Sequence, residues 1–154
     1  MRRLEPSTAL ALLRIATGLL VFPHGLTKVI KGPVAAIGGA MTAHGFPGWF
    51  AYVVVLGELA GLLMVVGLFS RLASVAVALT MAGIAVVVNS GEIAALGTGD
   101  SLGFELSLLL TVTATLCALA PPTRFSLDGL RAGRAGTPER PAGHARRLAG
   151  PERP

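Results

Sequence analysis

The sequence predicts an all-α integral membrane protein, a four-helix bundle with a short extra helix or re-entrant segment after the first span. Three observations carry that expectation. Of 154 residues, 53% are hydrophobic and only 14% charged, with a mean hydropathy of +0.70, whereas soluble domains carry about 25% charged residues. Apolar stretches at residues 8–30, 48–69, 72–90 and 103–121 are each long enough to cross a hydrocarbon core of roughly 30 Å at about 1.5 Å per residue. The charge is also segregated: residues 131–154 hold six arginines and two glutamates, so +4 of the net +5 lies there. The pI near 10.7 therefore describes the tail rather than the body. A nucleic-acid partner, which needs a basic folded face, is not expected.

A short cytoplasmic segment, residues 1–7, precedes the first span, which opens TALALLRIATGLLVF. Arg14 interrupts this run too early for a secretory signal. Residues 32–47, GPVAAIGGAMTAHGFP, are too short to span and too apolar for a plain loop. Val34–Ala43 is expected to form a short helix in the outer interface or to dip back toward the bundle. Trp49 and Tyr52 follow at the depth of aromatic anchors. The second span, GWFAYVVVLGELAGLLMVVGLF, and the third, LASVAVALTMAGIAVVVNS, are separated only by Ser70 and Arg71, which predicts a tight antiparallel hairpin. The fourth, GFELSLLLTVTATLCALAP, stops at Pro121–Pro122, which cannot continue a helix. The tail repeats Pro-Glu-Arg-Pro without apolar periodicity, a composition that predicts disorder. Its arginines suit anionic lipid headgroups. With both termini cytoplasmic, the inside collects ten Lys and Arg residues and the outside two, Lys28 and Lys31, as the positive-inside rule asks.

The informative residues are polar ones within the spans, where an Arg, Lys or Asp at mid-helix costs about 2.5–3.5 kcal/mol and usually faces partners or water. They are Arg14, His24, Lys28, Glu58, Asn89 and Glu105, read together as a buried polar cluster. At 100° per residue, and with Arg14 as zero, Lys28 falls at about −40°, Thr17 at about −60° and His24 at about −80°. Gly18 and Gly25 fall within about 40° on the other side, so one arc of the first span is polar and small. Pro23 is expected to kink it. Depth along the helices pairs Arg14 with Glu58, with His24 as a rival partner, and Lys28 with Glu105. Gly57 and Gly61 flank Glu58 where helices approach closely.

His24 and Glu58 are the candidate catalytic residues, against the alternative that Arg14–Glu58 is a structural clamp. The single cysteine, Cys117, excludes an intramolecular disulfide or CxxC pair and is expected to pack inertly. Met64 and Met81 read as gap-fillers. No second intramembrane ligand accompanies His24, so no metal site is expected. GTG at residues 97–99 lacks the strand and helix of a nucleotide fingerprint.

Several blocks together resemble the DoxX family of small four-helix bacterial membrane proteins. They are LLRIATGLLVFPHGLTK with Arg14, Gly18, His24, Gly25 and Lys28, the run around Glu58, Gly61, Gly67, Leu68 and Arg71, then FELSLLL with Glu105, and PPTRFSLD with Arg124, Ser126, Leu127 and Asp128. The likeness spans about residues 8–130. It implies a four-helix membrane bundle and a subunit of a membrane-associated redox assembly, thiol/sulfur- or quinone-linked. The family is named for its likeness to a subunit of an archaeal thiosulfate:quinone oxidoreductase. Some actinobacterial members associate with a superoxide dismutase and a sulfurtransferase. A soluble oxidoreductase partner, a bound quinone and a homo-oligomer are therefore expectations of the resemblance. The residues show no other cofactor. A non-catalytic membrane anchor for soluble partners and a small oligomeric transporter are the alternative readings.

Overall fold

A computed structural model describes residues 5–32, 34–97, 99–121 and 126–130. Residues 1–4, Arg124 and the 131–154 tail, with its expected disorder, lie outside the described residues. The described chain is all-helical, without strands. Helix α1 is Pro6–Lys31, α2 is Val34–Ala43, α3 is Phe50–Val66, α4 is Ser70–Gly83 and α5 is Leu102–Leu119. A π-helical turn, Ile84–Val88, prolongs α4, and a 3-10 segment, Ser90–Ala95, follows it.

Three helical stretches are long and apolar enough to cross a membrane: Pro6–Lys31, Ser70–Val88 and Leu102–Leu119. Helix α3, at 17 residues, sits at the lower limit for a span, about 25 Å long. The molecule is built inside out. Leu72, Leu79 and Leu119 are among many large apolar side chains left exposed, as a surface solvated by lipid tails requires. The interior is lined by smaller residues together with Val21, Met64, Val77, Met81, Leu110 and Cys117. The two methionines and the thiol thus occupy the packing roles expected of them.

Lipid tails are as apolar as leucine, so close backbone approach rather than hydrophobicity must hold the helices together. Antiparallel α1 and α3 meet on glycines. A Cβ on Gly18 would strike the Gly61 carbonyl oxygen, one on Gly61 would lie 2.9 Å from the Gly18 carbonyl oxygen, and one on Gly25 would lie 2.8 Å from Glu58 Cβ. Gly57 gives the same access to Thr80 on α4. The buried stripe of α1 is Ala11, Arg14, Thr17, Gly18, Val21 and Gly25.

Pro23 lies inside α1, which continues to Lys31. Two expectations need correction. The turn between the second and third spans is residues 67–69, not Ser70 and Arg71, which open α4. Its cause is local and distant at once. Gly67 ends α3 in the left-handed region at φ 73°, which glycine adopts without strain. Across 58 residues, Asp128 then accepts hydrogen bonds from Phe69 N (3.0 Å), Ser70 N (2.7 Å) and Ser70 Oγ (2.9 Å), and so caps α4. The third span, finally, does not reach Ser90 as a regular α-helix but changes to π geometry at Ile84. The short helix α2 forms over the expected residues and folds back onto α3. There Gly38 approaches the Gly48 carbonyl, and Trp49 and Tyr52 are both exposed.

Gly18→Val should destabilise the bundle by about 2 kcal/mol, an overpacking cost, whereas Gly83→Leu, whose Cβ meets nothing within 4 Å, should be near neutral. Denaturant titration of the purified protein in mild detergent, followed by circular dichroism, compares them. Asp128→Ala should cost about 1 kcal/mol in the same titration through loss of the α4 cap.

Candidate functional site

The approach of α1 and α3 at Gly25 brings Glu58 beneath the last turns of α1. Lys28, three residues further on, pairs there with Glu58 Oε1. Glu58 is 1% exposed, while the Lys28 side chain remains 24% exposed. Lys28 lies about 4.5 Å from the end of α1 and Glu58 about 12 Å from the start of α3. The lysine stem therefore runs inward, placing its ammonium at a carboxylate that would otherwise be stranded in the apolar bundle.

This is the first correction to the expected pairing: Glu58 takes Lys28, not Arg14 or His24. The antiparallel register explains it. Gly18 faces Gly61 and Gly25 faces Glu58, so Arg14 falls beyond the end of α3, where its Nη1 abuts Gly67. Gly67 is nine residues from Glu58, about 13 Å along the helix. Arg14 instead interacts electrostatically with Asp128 of the capping segment, and is buried there.

The second correction concerns Glu105, which is exposed and does not pair with Lys28. It accepts from Ser101 Oγ and, at 3.5 Å, from Gly97 N. In the first turn of α5 the carboxylate is held by its own helix start and the preceding loop. Its expected place in the buried cluster is thus not observed, and the same holds for His24, which is exposed. His24 makes no hydrogen bond among the described residues and stands at the rim of a cavity.

That cavity, about 200 Å³, lies between α1, α3, α4 and α5, and its lining includes His24, Lys28, Glu58, Asn89, Met81 and Leu110. The π turn delivers Asn89, whose Nδ2 donates to Ser107 Oγ at 3.1 Å. Ser107 Oγ in turn donates to the Gly103 carbonyl at 2.7 Å. Two contributors were not visible in the sequence. Ser107 reads as an ordinary helix residue, and Glu92 as a loop charge, yet Glu92 Oε2 accepts from Phe104 N at 2.8 Å and caps α5 over the cavity. No short motif announces either contact, because the partners are brought together only by the bundle. A second hollow, about 220 Å³, lies between α2, α3 and the π turn and is lined almost wholly by apolar residues such as Met41, Phe46, Phe50 and Val87. It offers no chemistry. Among the described residues no three His, Cys, Asp or Glu side chains converge as a metal centre would require.

The polar cavity is smaller than the roughly 300–1,000 Å³ of drug-sized sites. It therefore suits a single ring or a comparably small molecule. Lys28 and Asn89 supply donors, Glu58 an acceptor, and Met81, Ile84, Leu106 and Leu110 an apolar wall.

Fold and site together define a small helical membrane protein with a buried ion pair at the wall of a polar cavity. The chain belongs to the DoxX family, whose sequence pattern matches residues 9–90, a stretch that includes both Lys28 and Glu58. It is 33% identical over 120 residues to a protein of Bacillus subtilis (strain 168) named "Putative oxidoreductase CatD", an alignment covering 76% of this chain and 82% of that protein. No solved structure matches it.

Lys28→Met should destabilise the protein by about 3 kcal/mol because it leaves the Glu58 carboxylate buried without its cation. Adding Glu58→Leu should recover most of that loss. A double-mutant cycle by denaturant titration in detergent measures the coupling.

Proposed function

We propose that this protein is the membrane component of a redox assembly and that the Lys28–Glu58 cavity holds the small redox-active molecule, a quinone headgroup. The observation that carries this reading is the convergence of donors and an acceptor around a ring-sized cavity inside an otherwise apolar bundle. The name of the Bacillus subtilis relative supports a redox role. A quinone, when bound, supplies the two-electron chemistry; the chain supplies the environment. Lys28 donates to a ring oxygen while Glu58 fixes the position of the ammonium. The Asn89–Ser107–Gly103 chain of hydrogen bonds shapes the opposite wall. Met81, Ile84, Leu106 and Leu110 exclude water. In this reading His24, exposed where it lines the cavity, is the route between the cavity and its surroundings.

In this reading the protein sits in the bacterial plasma membrane with both termini cytoplasmic, supported by the ten-to-two distribution of Lys and Arg. The cavity then opens near the outer boundary. The partners are a soluble oxidoreductase, dismutase or sulfurtransferase, and a second copy of the chain completes the assembly.

Glu58→Gln and His24→Ala should abolish redox activity of membranes toward an added quinone while the protein still inserts and accumulates. Reduction kinetics, read beside immunoblots of the same membranes, check this. Loss of both activity and protein would instead make the Lys28–Glu58 pair a structural clamp. Mild-detergent purification of the full chain should recover a soluble oxidoreductase by mass spectrometry, and deletion of residues 131–154 should release it.

A further inference from the structure

The ion pair engages only one oxygen of Glu58. Oε1 takes the Lys28 ammonium, whereas Oε2 is buried and has no hydrogen-bond donor among the described residues. Glu58 is 1% exposed and lines the polar cavity. Asn89 Nδ2 bonds to Ser107, the Ser107 hydroxyl to the Gly103 carbonyl and Phe104 N to Glu92, and none of them donates to Oε2. A buried carboxylate oxygen without a donor bears the full desolvation penalty, and hydrogen bonds to charged groups are the stronger kind. The site therefore asks its ligand for a donor.

We propose that Glu58 Oε2 accepts a hydrogen bond from a ring hydroxyl, so that the cavity binds the reduced, dihydroxy form of a quinone in preference to the oxidised form. This rests on the reading of the cavity as a quinone site. An oxidised ring offers only carbonyl oxygens. It satisfies Lys28 but sets a lone pair against the carboxylate and leaves Oε2 without a donor. The reduced ring supplies an O–H to Oε2 and still presents an oxygen to Lys28, whose ammonium has three donors and uses one on Oε1. The cavity, about 200 Å³, leaves the hydrocarbon tail of such a molecule in the lipid. By linkage, tighter binding of the reduced form raises the midpoint potential of the bound couple, by about 30 mV for each tenfold of preference.

The test is equilibrium binding of decylubiquinone and decylubiquinol to the full chain in nanodiscs made without quinone. Wild-type protein should bind the quinol about tenfold more tightly, the scale of one hydrogen bond to a charged acceptor. Glu58→Gln, whose amide donates to a carbonyl, should erase or invert that ratio. Glu105→Gln, which neutralises an exposed carboxylate outside the cavity lining, should preserve it. Should Glu58→Gln fail to fold, the double variant Lys28→Gln/Glu58→Gln removes both charges together, and the wild-type ratio stands as a readout by itself. Equal affinities, tighter quinone binding, or a preference unchanged by Glu58→Gln would overturn the assignment while leaving the cavity as a quinone site. Binding of neither form would overturn the quinone reading itself.

Discussion

A carboxylate held deep between apolar helices needs a cation, and the cation can reach it only if two backbones come close enough. In this chain those requirements meet at one place. Glu58 is paired with Lys28, and the pair exists because Gly25 lets α1 settle against Glu58, where a Cβ would lie 2.8 Å from the glutamate's own. The rest of α1 follows from that contact. Gly18 meets Gly61 seven residues earlier along the helix, and Arg14 is carried past the end of α3. A shift of one helical turn would bring Arg14 closer to Glu58 but would drive side chains into the carbonyls at Gly18 and Gly61. In a membrane the helices gain nothing from burying apolar area against one another, so this steric register outweighs simple charge matching by depth.

The two ends of the bundle solve the problem of helix termini differently. At the hairpin end, Asp128 reaches back to cap α4 while Arg14 and Gly67 pack beneath it. The segment after the last span thus closes the body rather than merely leaving it. At the other end, Glu92 caps α5 and Asn89 bonds to Ser107. The π turn at Ile84–Val88 makes the second arrangement accessible. Its extra residue per turn rotates Asn89 relative to a regular helix, and such turns recur at functional sites. The polar cavity is therefore walled by elements whose ends are tied down, with Lys28 and His24 at its more open side.

That arrangement separates structural from chemical demands on the same residues. The Lys28–Glu58 pair stabilises the bundle chiefly by preventing an uncompensated buried charge, since an intact pair in a low-dielectric interior adds little beyond its desolvation cost. Oε2 lies outside that balance. It is the feature of the site that an apolar replacement of the pair would remove without loss to folding.

Composition and the lengths of the apolar runs determined the all-helical membrane class, the order of the apolar helices, and the short helix at Val34–Ala43. These depend on local chemistry: a residue's transfer cost, a helix's rise, a proline's missing donor. The glycines at 18, 25, 57 and 61 and the ionisable residues of the spans were legible for the same reason, as small or costly groups in places that demand a partner. Which partner each takes was decided by the tertiary structure alone. Lys28 rather than Arg14 at Glu58, Asp128 across 58 residues at the α4 terminus, Glu92 at α5 and Glu105 turned back on Ser101 all follow from helix register and rotation. Depth counted along separate helices cannot supply these, because one turn of offset moves a side chain about 5.4 Å and changes what it can touch.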